Sequence, residues 1–210
     1  MPRRGAAYFA LPSVGAHERD PETIFSHLMP GAMDIEFLQD AVTLNATAET
    51  NSQEIKVIVE INNDNTGHKI PTDYPGRQLV LLIQAYDKTG LPLALHAGPI
   101  LPEWVGVGEQ DQGYYSGLPG TAYAMILEEV WTGKTPTIAY WNPYKILSDN
   151  RIRPNETAVC EYIFENPAAG DVKISIQLIF RRNFIEVMDW KKWDSPDIVI
   201  QELEIIPEQP

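Results

Sequence analysis

Residues 42–63 read VTLNATAETNSQEIKVIVEINN, and their apolar side chains recur at every second position. Alternation of this kind is typical of β-strands that turn one face to a core and the other to water. The stretch therefore predicts two strands, VTLNATAE and EIKVIVEINN, that contribute to one buried face. That face is formed by Val42, Leu44, Ala46, Ile55, Val57, Val59 and Ile61.

Strand patterns continue through most of the chain that follows. Residues 77–87 (RQLVLLIQAYD) are more continuously apolar and predict a strand buried on both faces, and the DKTG turn then leads to a return strand at 91–99. About eight strands and almost no long helix favour an all-β fold, an antiparallel β-sandwich that is immunoglobulin-like in architecture. The remaining predicted strands are 121–131, 137–141, 157–165, 171–182 and 197–206, with a short helix at 183–193.

Residues 1–41 differ from the rest of the chain, because they are rich in Pro, Gly and Ala at the start and show no clear period. Asp and Pro at 20–21 suit the start of a helix, and they predict a short one to about Met29. A second short helix is expected directly after Asp34. We expect an irregular, short-helical N-terminal arm over 1–41, lying on the domain or on a partner, and a β-sandwich domain over 42–210.

Composition and charge limit the classes of function. The 210 residues carry a formal net charge of -13, whereas nucleic-acid binding requires a basic surface, so no nucleic-acid partner is expected. No apolar run approaches the roughly 18 residues of a membrane helix, so no transmembrane segment is predicted. The apolar part of the N-terminus is too short and too interrupted for a signal peptide.

The motifs of common enzymes are missing from the sequence. There is no HExxH, no GxSxG and no glycine-rich phosphate loop, and the residues indicate no catalytic site. Cys160 is the sole cysteine, which excludes an intrachain disulfide and a CxxCH site for covalent haem attachment. Its place in an alternating strand predicts a small core residue.

Residues 64–77, DNTGHKIPTDYPGR, are the most informative polar loop. Gly67 is expected to allow a sharp turn that presents the imidazole of His68, and Pro71 and Pro75 are expected to stiffen the segment. Two interpretations stay open: a turn histidine that hydrogen-bonds a neighbouring carbonyl, or a ligand. His27 lies beside a Pro-Gly turn in the same way and is a second candidate ligand.

Two weaker signals accompany this loop. The oxygen-rich NNDNTG stretch contains Asp64 and could hold a hard cation such as calcium, alone or with His68, but it lacks the spacing of an EF-hand. The loop at 99–120 is rich in Gly, Gln and aromatic residues and has the length of a functional loop. As an alternative function, a carbohydrate or a peptide would bind there through Trp104, Tyr114 and Tyr115.

The pattern N-x-G-H-x-x-P-T-x-x-P-x-R resembles the haem-free β-sandwich domain that follows many multihaem c-type cytochrome domains. SHLMPG at 26–31, SDNRIRPNETAVCEYIF at 148–164 and ISIQLIFRR at 174–182 are similar, in order, to further stretches of that family. Three residues depart from it, since Asp73 and Asn155 stand where the family has glycine and Asn150 where it has threonine. The matching residues of the first pattern are Asn65, Gly67, His68, Pro71, Thr72, Pro75 and Arg77, followed by Asp87 and Gly90.

The resemblance implies a non-enzymatic module that docks on a multihaem c-type cytochrome domain or subunit, in the periplasm or at the cell surface. It implies that His68 or His27 approaches a haem of that partner, since this chain attaches none covalently. The expected docking face includes Arg77, Tyr74, Trp104, Tyr114 and Tyr115.

Overall fold

A computed structural model describes residues 8, 10–25, 31–167 and 172–207. The chain divides into two compact units, Met1–Asp34 and Ile35–Pro210. The smaller unit contains three single turns of 3-10 helix, Pro12–Val14, Pro21–Thr23 and Gly31–Met33.

The first predicted helix is shorter than expected. Asp20 does cap it, because its Oδ1 accepts a hydrogen bond from the Glu22 N–H at 3.0 Å. The helix ends at Thr23, however, and Ile24 is already extended. Two consecutive β-branched residues disfavour continuation of the helix. Met29, where the helix was expected to end, lies outside the described residues.

The larger unit begins with α1 (Ile35–Gln39), the second predicted helix, and is otherwise built mainly from strands. The short helix expected at 183–193 is α2 (Ile185–Lys191). The described residues form ten strands: β1 (Thr43–Thr50), β2 (Glu54–Asn62), β3 (Gln78–Tyr86), β4 (Leu95–Ala97), β5 (Gly120–Tyr123), β6 (Met125–Glu129), β7 (Tyr144–Asp149), β8 (Thr157–Glu165), β9 (Lys173–Arg181) and β10 (Ile198–Ile205).

The strands form two four-stranded antiparallel sheets and one hairpin. The sheet orders are β1-β2-β8-β4 and β10-β9-β3-β5, and β6 pairs with β7 alone. The alternation in β2 is confirmed, because Ile55, Val57, Val59 and Ile61 are fully buried. The first six residues of β3 are also buried, as its continuous apolar run predicted. The predicted class, an antiparallel β-sandwich, is confirmed.

The DKTG turn forms as predicted, but the chain after it does not return beside β3 as a full strand. The Asp87 Oδ1 accepts hydrogen bonds from the N–H groups of Thr89 and Leu91 at 2.8 and 3.0 Å. Pro92 has no N–H, so pairing with β3 is limited to an isolated bridge. The next strand, β4, has only three residues and pairs with β8 in the other sheet.

The region 121–147 also differs from the prediction. The strand expected at 121–131 divides at Ala124 into β5 and β6, which belong to different sheets. Ala124 is held at this corner, because its N–H donates to Asn150 Oδ1 at 2.9 Å. Residues 137–141 are not a strand. The partner of β6 is β7, which the sequence analysis did not predict.

Candidate functional site

Asn63 organises the loop that carries His68. Its side chain is buried, and its amide nitrogen donates hydrogen bonds to the carbonyl oxygens of His68 and Ile152 at 2.8 and 3.0 Å. Its Oδ1 lies 2.6 Å from the Thr66 hydroxyl. Sequence reasoning selected Asn65 and missed Asn63. The sequence does contain a signal for Asn63: the alternation of β2 places it on the buried, odd-numbered face, and a buried amide needs hydrogen-bond partners.

His68 is exposed, and its ring is oriented by the adjacent backbone. The Nδ1 atom lies 3.1 Å from the Lys69 carbonyl oxygen. A carbonyl oxygen only accepts hydrogen bonds, so Nδ1 must carry the proton in this contact. In the neutral ring the lone pair then resides on Nε2. The hydrogen bond that sequence analysis offered for a turn histidine is therefore present, and the same bond leaves Nε2 able to act as a ligand.

The backbone on either side of His68 is tied to a distant segment. Ile70 and Ile152 exchange two backbone hydrogen bonds of 2.9 Å. The Lys69 ammonium lies 2.8 Å from Asp149 Oδ2, and Arg151 binds both oxygens of the same carboxylate at 2.7 and 2.8 Å. These two cations hold the pKa of Asp149 well below its usual range, with the Arg151 hydrogen bond as the largest cause. Residues 63–70 and 149–156 thus form one site.

The glycine that the turn requires is Gly76, not Gly67. Gly67 does lie in a bend, but it has no left-handed φ and a Cβ there would meet nothing within 4 Å, so nothing at this position requires a glycine. A Cβ on Gly76 would lie 2.4 Å from Asn183 Oδ1 and 2.5 Å from Tyr74 Cε1. The close approach at Gly76 lets Asn183 donate to the Tyr74 hydroxyl at 3.1 Å.

Two departures from the family pattern have a conformational explanation. Asp73 and Asn155 have φ values of 64° and 60°, in the left-handed region. Glycine adopts this region without steric cost, and Asp and Asn are the other residues that enter it most readily. The backbone at both positions therefore has the conformation that a glycine would favour.

The other residues of the predicted pattern support the loop, two of them from buried positions. Pro71 and Pro75 are buried, and Arg77 donates to the carbonyl oxygen of Thr72 at 3.2 Å. Asn65 donates to the Asp40 carbonyl at 2.9 Å.

Asp64 is exposed, and its carboxylate accepts a hydrogen bond from Thr43 at 2.9 Å. Within the described ranges, no three His, Cys, Asp or Glu side chains come together as a metal site. Calcium binding by this loop stays a prediction.

The aromatic residues of 99–120 pack on the protein itself. The partly buried Trp104 ring meets Phe184 edge-on, with centroids 5.9 Å apart. Tyr115 lies under the guanidinium of Arg181 at 5.3 Å, and burial raises the pKa of its hydroxyl. Tyr114 donates to Asp189 at 2.8 Å. Each of the three aromatic side chains therefore makes an intramolecular contact.

Arg181 fixes the 99–120 loop, and sequence analysis did not select it. This fully buried residue forms a bidentate ion pair with Asp197, at 2.8 and 2.7 Å. It also donates to the carbonyl oxygens of Val105 and Gly113 at 2.5 Å. The arginine therefore joins two points within the loop, Val105 and Gly113.

The predicted docking residues do not form one cluster. Tyr74 and Arg77 belong to the His68 loop, whereas Trp104 packs on Phe184, Tyr115 lies under Arg181 and Tyr114 bonds to Asp189. A chain of contacts joins the two groups, since Asn183 binds Tyr74 and Phe184 follows it directly. Burial raises the pKa of the Tyr74 hydroxyl, which keeps it neutral in this contact. His27 lies outside the described residues.

Comparison with known proteins adds information about the fold. No protein-family model and no curated protein sequence matches the chain. A multihaem cytochrome shares its fold. This solved structure is a penta-heme cytochrome c552 from Thermochromatium tepidum, with a TM-score of 0.61 and 20% sequence identity. The match covers 84% of this chain and 42% of that chain, so this chain spans less than half of the cytochrome's length.

The likeness agrees with the resemblance seen in the sequence at the level of the fold. A β-sandwich of this kind occurs within the chain of a multihaem cytochrome. None of the helices in the described part of this chain has the length and apolar character needed to cross a bilayer.

Proposed function

We propose that this chain is a non-enzymatic module of a multihaem cytochrome electron-transfer system. It docks on a haem-bearing partner and presents Nε2 of His68 to the iron of a partner haem, in the periplasm or at the cell surface. The observation that carries this proposal is the contact of His68 Nδ1 with the Lys69 carbonyl, in a loop anchored by Asn63 and Ile152.

The geometry suits axial ligation. An imidazole binds haem iron through a neutral nitrogen, and a hydrogen bond from the other ring nitrogen sets the tautomer and the ring orientation. The Lys69 carbonyl fills that role for His68. The exposed ring can be reached by a partner, while the bonds on both sides of it reduce the entropy lost when it is fixed.

Genetic context gives the first test. Because this chain has no CxxCH motif, the haem must come from elsewhere. We expect a run of CxxCH motifs in the full reading frame or in a neighbouring gene. If neither carries such a run, the proposal fails.

A second test measures ligation directly. The chain is titrated into a proteolytic haem c peptide that has one axial histidine and an open sixth position. Binding of His68 is expected to convert the ferric Soret band to that of a low-spin bis-histidine haem, and His68→Ala is expected to lose this change. His96→Ala is the matched control, because His96 is also exposed and its Nδ1 lies 3.6 Å from Glu54. His27→Ala tests the second candidate.

The role of His68 is rejected if the His68→Ala and His96→Ala chains change the Soret band to the same extent as wild type. A loss confined to His27→Ala would transfer the ligand role to that residue. The same variants are then measured with the haem-bearing partner, where loss of the ligand is expected to shift the reduction potential of one haem.

A further inference from the structure

The β6–β7 hairpin and the loop between its strands expose an unusual number of large apolar side chains. Trp131 and Trp141 are 71% and 67% exposed. Every residue of β7 but the last is exposed, although the strand contains Tyr, Ile and Leu. We name this surface the aromatic face, and it comprises Trp131, Tyr140, Trp141, Tyr144, Ile146 and Leu147.

A buried carboxylate joins the two segments that carry the tryptophans. Glu129 is 8% exposed, and its two oxygens accept hydrogen bonds from Thr132, at 2.5 Å, and from Asn142. Thr132 follows Trp131 and Asn142 follows Trp141, so the residue after each ring is tied through its side chain to the same carboxylate. Neither tryptophan therefore lies on an unanchored loop. A fixed backbone reduces the entropy lost when exposed rings are buried by a partner.

The aromatic face has the properties of a surface that another molecule covers. A cluster of large exposed apolar side chains marks an interaction site, and β6 already packs its buried residues with Phe184, so the exposed side chains are not needed for that core. The distribution of charge also favours a contact surface in this region. Residues 125–153 contain four basic and three acidic residues, whereas the whole chain has a net charge of -13. The net acidic charge of the chain is thus carried outside this region.

The aromatic face is continuous with the His68 site. Tyr140 meets Tyr74 of the His68 loop edge-on, with centroids 6.2 Å apart. At the other end, β7 finishes at Asp149, whose carboxylate binds Lys69, the neighbour of His68. A molecule that contacts His68 is therefore placed next to this apolar surface.

We infer that the aromatic face docks against the haem-bearing polypeptide whose haem His68 reaches. This inference rests on the proposed function and identifies the contact surface for it. The partner surface is expected to be apolar, as is the porphyrin edge around an exposed haem, and the exposed Lys134 offers a cation to its propionates. The match covers 42% of the penta-heme cytochrome, so the larger part of that chain lies outside the shared fold.

Calorimetric titration with the haem-bearing polypeptide encoded with this chain tests the inference. Trp131→Ala/Trp141→Ala is expected to weaken binding by about tenfold or more, because exposed tryptophans at interface centres carry much of the affinity. Trp190→Ala is the matched control, since Trp190 is 75% exposed and lies on α2, and its affinity is expected to stay within about twofold. Ile146→Lys, at an exposed position of β7, supplies an independent variant if the double variant is unstable.

The outcomes separate this inference from the proposed function. If wild type binds, His68→Ala loses the haem signal and the aromatic-face variants bind as wild type, the docking surface is wrong and the proposed function stands. If wild type does not bind the haem-bearing polypeptide at all, both fail. Sedimentation of the chain alone gives a third check: a dimer that dissociates in Trp131→Ala/Trp141→Ala would show that a second copy covers the face, which overturns the inference.

Discussion

Replacement of Asn63 by alanine tests whether the His68 loop is held as the structure indicates. The substitution removes two hydrogen bonds donated to backbone carbonyls and one contact with the Thr66 hydroxyl. Each such bond contributes about 1 kcal/mol net. The Ile152 carbonyl keeps its bond from the Ile70 N–H, so the expected loss in the free energy of unfolding is the sum of the three contacts, about 3 kcal/mol. For a chain of this size the corresponding fall in Tm is about 6–12 °C.

Asn65→Ala is the matched control for this experiment. Asn65 is exposed and makes one hydrogen bond to the Asp40 carbonyl, so its removal is expected to cost about 0.5 kcal/mol. Urea unfolding followed by tryptophan fluorescence gives both free energies, and the haem peptide titration shows whether His68 still ligates. The reasoning is refuted if the two variants differ by less than about 0.5 kcal/mol, or if Asn63→Ala retains full ligation.

Three further predictions concern the same region. Gly76→Ala is expected to lower stability by about 1–3 kcal/mol because its Cβ would overlap Asn183 and Tyr74, whereas Gly67→Ala is expected to be tolerated; thermal unfolding of the pair decides this. Asp73→Gly is expected to raise stability by about 0.5 kcal/mol by relieving a left-handed φ, and an unchanged or lower Tm would contradict this. The folded-state pKa of Asp149 is lowered, so its contribution to stability is present above the unfolded pKa of about 3.9 and is lost as the pH falls below that value. Plots of the free energy of unfolding against pH for wild type and Asp149→Asn are expected to converge at acidic pH. Parallel plots would contradict the role given to the Asp149 carboxylate.

Local patterns predicted most of the strands, because alternation follows directly from which face of a strand is buried. They did not predict which sheet a strand joins. The return strand after Pro92 crosses to β8, and the chain changes sheets at Ala124 because Asn150, far along the sequence, accepts a bond from its N–H. The strand expected at 137–141 is a loop, and β7 follows it.

The same distinction explains what was missed at the candidate site. Periodicity contained a clue to Asn63, which continues a buried face, and the loop composition drew attention to His68. Nothing in the local sequence distinguished Gly76 from Gly67, since the side chain that crowds Gly76 belongs to Asn183. The aromatic face was missed for a related reason: a run of Trp and Tyr indicates a core until the structure shows that the rings are exposed.

The link between Asn63 and Ile152 has a consequence for how the protein folds. The two residues are 89 positions apart, and the bond between them holds the His68 loop. A nascent chain that ends before Asp149 therefore lacks both Asp149 and Ile152, the distant partners of this loop, and closure of so long a segment is among the slow events of folding. The loop that carries the imidazole is anchored only after this distant segment joins it, which makes ligand competence a reporter of long-range closure and not of local structure alone.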